Sequence, residues 1–85
     1  MKEKKYQPPK VVNPEHKKFL VAIGKKLQKL RNNDGITISG FSTKVGISRN
    51  AYRLMETGDV YFNMGSLMHI LSYYDLEGKV FFKDL

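Results

Sequence analysis

The stretch Ile38–Thr57, ISGFSTKVGISRNAYRLMET, decides the fold. It reads as two short helices with a turn of three residues, Gly46-Ile47-Ser48, between them. Thr37 or Ser39 caps the start of the first helix, and Phe41 and Val45, four apart, give it a buried side. Gly46 ends it, because a turn this tight needs a residue at ease with positive φ. Ser48 caps the second helix, which runs to Thr57 and stops at Gly58-Asp59. Close crossing of the pair needs a small side chain facing the partner, and Ser42 stands there. Counted from Ile38, apolar groups are required at positions four, eight, ten, fifteen and eighteen, which hold Phe41, Val45, Ile47, Tyr52 and Met55. Every demand of a helix-turn-helix unit is met.

Upstream, Asn13 is a good N-cap, Pro14 suits the first helical position and Glu15 complements the positive helix end. Phe19, Ile23, Leu27 and Leu30 then form one apolar stripe, and Asn32-Asn33-Asp34-Gly35 is a stop signal. Gly24 inside that helix marks close approach of another helix. Downstream, Asn63 starts a helix whose apolar face is Leu67, Ile70, Leu71 and Tyr74. Glu77–Leu85 closes the chain with a last short helical turn carrying Val80, Phe81, Phe82 and Leu85. Val60-Tyr61-Phe62 is strand-like in composition, but three residues without a partner make a loop. The expected fold is all-α, a compact bundle of five short helices over residues 13–85 behind a flexible basic tail, residues 1–12.

Eighty-five residues suffice for one small domain, so a two-lobed enzyme is not expected. The apolar share of 41% supports only a thin core. No apolar run approaches the roughly 18 residues that span a bilayer. With no cysteine, disulfides and thiolate metal sites are excluded. Fifteen Lys and Arg against eight Asp and Glu leave a net charge of +7, which suits an anionic partner, nucleic acid or an anionic membrane face. The membrane face is the weaker reading, because the fold needs the first helix's apolar stripe internally. His16 and His69 belong to no metal-spaced cluster, and no phosphate-cradling Gly-rich loop or nucleophile elbow appears, so neither cofactor, metal nor enzymatic activity is expected.

From Phe19 to Leu85 the chain resembles the lambda-repressor-like (Cro/XRE-type) helix-turn-helix regulators of bacteria and phages. The resemblance rests on Val45-Gly46-Ile47-Ser48, on Glu56-Thr57-Gly58 and on Leu67-Met68-His69-Ile70-Leu71. It implies a third helix lying in the DNA major groove, and an ion pair between Arg31, late in the first helix, and Glu56, closing the third. It also maps the family's base-contacting positions onto Arg49, Asn50, Ala51, Arg53 and Leu54. Two departures stand out: Ile38 where the family often has glutamine, and Asp59 where a basic phosphate contact is usual.

On the third helix, Tyr52, Met55 and Ala51 are expected to turn inward, leaving Arg49, Asn50, Arg53, Leu54 and Thr57 outward or at the edge. Arginine reads guanine O6 and N7, asparagine reads adenine N6 and N7, and Leu54 suits a thymine methyl. Thr37, Ser39, Thr43, Lys44, Ser48, Thr57 and Asn63 are the expected phosphate contacts. The Lys-rich tail is either a backbone-following arm or a solubilising segment. Tyr73, Phe82 and Leu85 either pair two copies, as the resemblance implies, or complete a thin core. The expectation is a sequence-specific double-stranded DNA-binding regulator, a repressor and homodimer, cytoplasmic and nucleoid-associated in a bacterium or phage. The rival is an antitoxin-type or adaptor protein of the same fold that holds another protein.

Overall fold

A computed structural model describes residues 11–85 and shows an all-α bundle. Its helices are α1 (Pro14–Asn33), α2 (Ile38–Val45), α3 (Arg49–Thr57), α4 (Met64–Tyr73) and α5 (Gly78–Phe81). Residues 1–10, most of the expected tail, lie outside the described residues.

Four of the five helices start at the caps their sequence announces. Asn13 accepts from the Glu15 N–H, Ser48 from Ala51, and Asn63 from Gly65 and Ser66. Of the two candidates before α2, Thr37 is the cap, its hydroxyl oxygen accepting from Gly40 N–H at 3.0 Å. Each such cap contributes about 1 kcal/mol by satisfying donors the helix cannot satisfy itself. Gly46 ends α2 at φ +71°, and the chain enters α3 three residues later, at Arg49. The Val60-Tyr61-Phe62 run is loop, as its length implies.

One core joins all five helices. Ile23, Leu27, Phe41, Val45, Tyr52, Met55, Leu67, Ile70, Leu71 and Phe81 are buried in it. Phe41 sits at its aromatic centre, 4.7 Å from the Tyr52 ring and stacked on Tyr74 at 5.8 Å. Ser42 is buried where α2 meets its neighbours and donates to the Ser39 carbonyl, so its small hydroxyl is satisfied inside its own helix. The Tyr74 hydroxyl donates to Asp34 at 2.7 Å, tying the end of α4 to the end of α1.

α1 and α3 meet backbone to backbone. A Cβ at Gly24 would lie 2.1 Å from the Glu56 carbonyl oxygen, a distance no side chain tolerates. From there the chain after α3 runs back along α1 toward its start. Gly58 faces Leu20 and Val21, Asp59 pairs with Lys17, and the Tyr61 hydroxyl meets Asn13 and His16.

That contact corrects the expected stripe on α1. The buried line runs through Leu20, Ile23, Gly24 and Leu27, while Phe19 is 50% exposed and stacks on Phe82. Glycine carries no hydrophobic signal, so an apolar-periodicity reading passes over the residue that fixes the helix's rotation. Ala51 is also exposed rather than inward, since the buried side of α3 is the one that carries Tyr52 and Met55. The closing helix is shorter than expected: it ends at Phe81 with Phe82 as its cap, the chain continues as a turn with Asp84 at φ +69°, and Val80 and Leu85 are exposed.

Candidate nucleic-acid interface

α3 presents two faces of opposite chemistry. Tyr52 and Met55 are buried, while Arg49, Asn50, Ala51, Arg53 and Thr57 are exposed and Leu54 is half-buried at the edge. Arg49 and Arg53 are four apart, so both guanidinium groups project from one side of the helix. Among the described residues neither arginine has an ion-pair partner.

The acids beside this face are neutralised from α1. Glu56 accepts from Arg31 Nε at 2.7 Å and from Nη2 at 3.1 Å, a bidentate pair whose side chains are only 5% and 13% exposed. Arg31 spends a third nitrogen, Nη1, on the Ile36 carbonyl at 2.8 Å, so it braces the α1–α2 connection as well. The Glu56 carboxylate holds the Arg31 guanidinium above even its ordinary range. Tyr52 Oη is buried close enough to feel this pair's charges, yet outside hydrogen-bonding geometry. Burial, reinforced by the Glu56 carboxylate, raises its phenol well above the usual tyrosine range. Just past α3, Asp59 pairs with Lys17, which pulls its carboxyl below the usual carboxylate range. A position where an acid opposes an anionic ligand is thus occupied by an acid already carrying its own cation.

The polar residues expected to hold phosphate divide into two groups. Thr43 donates its hydroxyl to the Ser39 carbonyl at 3.0 Å, and Thr57 donates to Leu54 at 3.2 Å, so both donors are engaged within their helices. Thr37 and Ser48 act as acceptors in their caps, which leaves the hydroxyl hydrogen of each to donate outward. Asn63 likewise uses its Oδ1 in a cap and keeps both amide hydrogens. Ser39 and Lys44 are exposed on α2. Ile38 opens α2 half-buried, packed against the core.

Two features of the site are absent from the sequence reading. Arg53 Nη2 donates to Asn50 Oδ1 at 2.9 Å; their spacing of three along a helix was the available signal. The other is a clip at the start of α1. The Tyr61 hydroxyl accepts from Asn13 N–H at 2.9 Å and lies 2.6 Å from His16 Nδ1, with the rings edge to face. No local pattern announces it, since the partners are 48 and 45 residues apart. The C-terminal residues differ in their exposure: Tyr73 and Leu85 are exposed, and Phe82 is half-buried under Phe19.

Among the described residues, no group of three or more His, Cys, Asp or Glu converges as a metal site. No described helix is long and apolar enough to cross a membrane. Compared with known proteins, the sequence matches no family model and no curated protein.

Proposed function

We propose that this protein is a sequence-specific double-stranded DNA-binding regulator, a repressor of the helix-turn-helix kind, with α3 as its reading helix. One observation carries the reading: the exposed face of α3 displays Arg49, Asn50 and Arg53, while the nearby acids Glu56 and Asp59 are paired with Arg31 and Lys17. A helix with two unpaired arginines on one face repels itself by a few tenths of a kcal/mol, and a polyanion reverses that sign. The face stands on buried side chains and a backbone-to-backbone contact, the rigid support that base reading requires. Thr37, Ser39, Lys44, Ser48 and Asn63 supply donors for phosphate around it. The natural setting of such a protein is the bacterial cytoplasm, in association with the nucleoid, whether a bacterium or a phage encodes it.

Selection from random duplexes at near-physiological salt tests the reading. The expected result is an enriched palindrome with half-sites about 10 bp apart. Arg49→Ala and Arg53→Ala then lose sequence preference while melting like the parent. Binding without enrichment, fading steeply with salt, would reduce the interface to charge alone. A palindrome requires a homodimer, for which the C-terminal surface around Tyr73, Phe82 and Leu85 is the proposed contact; sedimentation of the free protein and of its DNA complex reads this directly.

A second reading has its own observation. Phe19, Met64 and Met68 are exposed on α1 and α4, and Met68 reaches 60% exposure. An antitoxin-type or adaptor protein would use such a surface for another protein, and would show no preferred duplex.

A further inference from the structure

The bond between Asn50 and Arg53 changes what α3 selects, on the reading that it binds DNA. A guanidinium only donates, so the Asn50 amide must turn its oxygen, its sole acceptor, toward Arg53. Bidentate recognition of adenine needs that oxygen for N6–H and the amide nitrogen for N7. A bidentate contact with adenine would have to share that oxygen between the adenine amino group and the guanidinium, in an orientation the bond to Arg53 already constrains. On the Arg53 side, one hydrogen of Nη2 is spent and four of the five guanidinium hydrogens remain. Whichever Nη2 hydrogen is used, one two-donor edge of the fork stays whole.

We infer that Asn50 is a positioning residue for Arg53, and that α3 selects base edges rich in acceptors, guanine above all, rather than adenine. What the face then offers is donors and methyl groups: the Arg49 and Arg53 forks, the free Asn50 amide hydrogens, the exposed Ala51 methyl and the Leu54 edge. Guanine presents two acceptors in the major groove, and thymine one acceptor beside a methyl. Cytosine and adenine each present an amino donor there, and the acceptors left to meet it are few: the second lone pair of Asn50 Oδ1, already beside a guanidinium, and the Thr57 hydroxyl oxygen at the end of the helix. Arg49 and Arg53 are about 6 Å apart along the helix axis. That spacing suits two guanines in neighbouring or next-neighbouring steps.

The same duplex selection, run on the parent and on Asn50→Ala, Asn50→Asp and Arg53→Ala, tests this. Both positions changed are exposed on α3, and thermal melting confirms that each variant folds. In the parent, guanine should be enriched at a position that becomes random in Arg53→Ala. Asn50→Ala should weaken discrimination at that same position by about 3- to 10-fold, the net worth of one ordinary exposed hydrogen bond that holds the guanidinium in place. Asn50→Asp keeps an acceptor for Arg53 and should restore the guanine preference, even as its added charge lowers affinity for every duplex. An adenine that becomes random in Asn50→Ala, with the Arg53 guanine untouched, would overturn the inference and leave DNA reading intact. A parent pool with no enrichment would overturn both.

Discussion

At Gly24 a hydrogen stands where any other residue would place a Cβ, and that decides how near α1 and α3 come. Helix propensity alone says that Gly24→Ala should stabilise α1 by about 1 kcal/mol. The contact with the Glu56 carbonyl reverses the sign, because the helices must part to admit the methyl. The expected outcome is a net loss of roughly 2 kcal/mol or more in urea unfolding; a raised midpoint would refute the close approach. Glu56 is the second such residue. Glu56→Ala leaves the Arg31 guanidinium nearly buried without its counter-charge, and should cost about 3 kcal/mol. Replacing both, as Arg31→Met with Glu56→Leu, should recover much of that loss, since an apolar pair avoids the desolvation of two charges. If the double variant is no more stable than Glu56→Ala, the pair does not act as a unit. Both residues were legible in sequence, Gly24 as a glycine inside a helix and Arg31–Glu56 through the family resemblance. Tyr61 was not, because its partners are reached only when α1 lies alongside the α3–α4 connection.

At the scale of elements, the α2–turn–α3 unit was readable almost to the residue because its determinants are local. Thr37, Ser48 and Gly46 act on backbone groups within three or four positions of themselves. Gly46 has open space around it, so the cost of a side chain there is conformational rather than steric. Gly46→Val should lower stability by roughly 1–2 kcal/mol, whereas Gly46→Asn, which tolerates the left-handed region, should lose less. Urea midpoints in the order Gly, Asn, Val check this, and a valine variant as stable as the parent would contradict the turn. The ends of α1 are legible in its sequence and its rotation is not: Phe19 and Leu20 are neighbours, and only the packing of α3 over Gly24 chooses which one is buried. α5 was overextended for a related reason. Its aromatic composition shows that something there is buried, but Phe81 alone is deeply so, Phe82 is half-buried, and the residues from Lys83 on are exposed.

Across the whole molecule, two tyrosines link folding to alkaline pH. Tyr52, shielded by burial beside Glu56, and Tyr74, shielded by burial and by its bond to Asp34, both hold their protons well above the usual range. In the unfolded chain each ionises near pH 10. Above that pH the folded state binds more protons than the unfolded one, so stability falls as pH rises. The stabilisation should be complete below about pH 10 and decline beyond it as the folded values are approached. Urea midpoints measured between about pH 9 and 11 should show the fall, with two of the five tyrosines ionising only as the chain unfolds. A midpoint flat across that range would deny the shielding. The sequence by itself determined the all-α class, the helix boundaries set by caps and glycines, and the residue types offered on α3, since each follows from contacts a few positions long. Tertiary structure alone decided the rotation of α1, the neutralising of Asp59 by Lys17, and the clip of Tyr61 on the start of α1. These depend on which surfaces meet, and a backbone contact at a glycine or a bond across forty residues leaves no periodic trace in the chain that makes it.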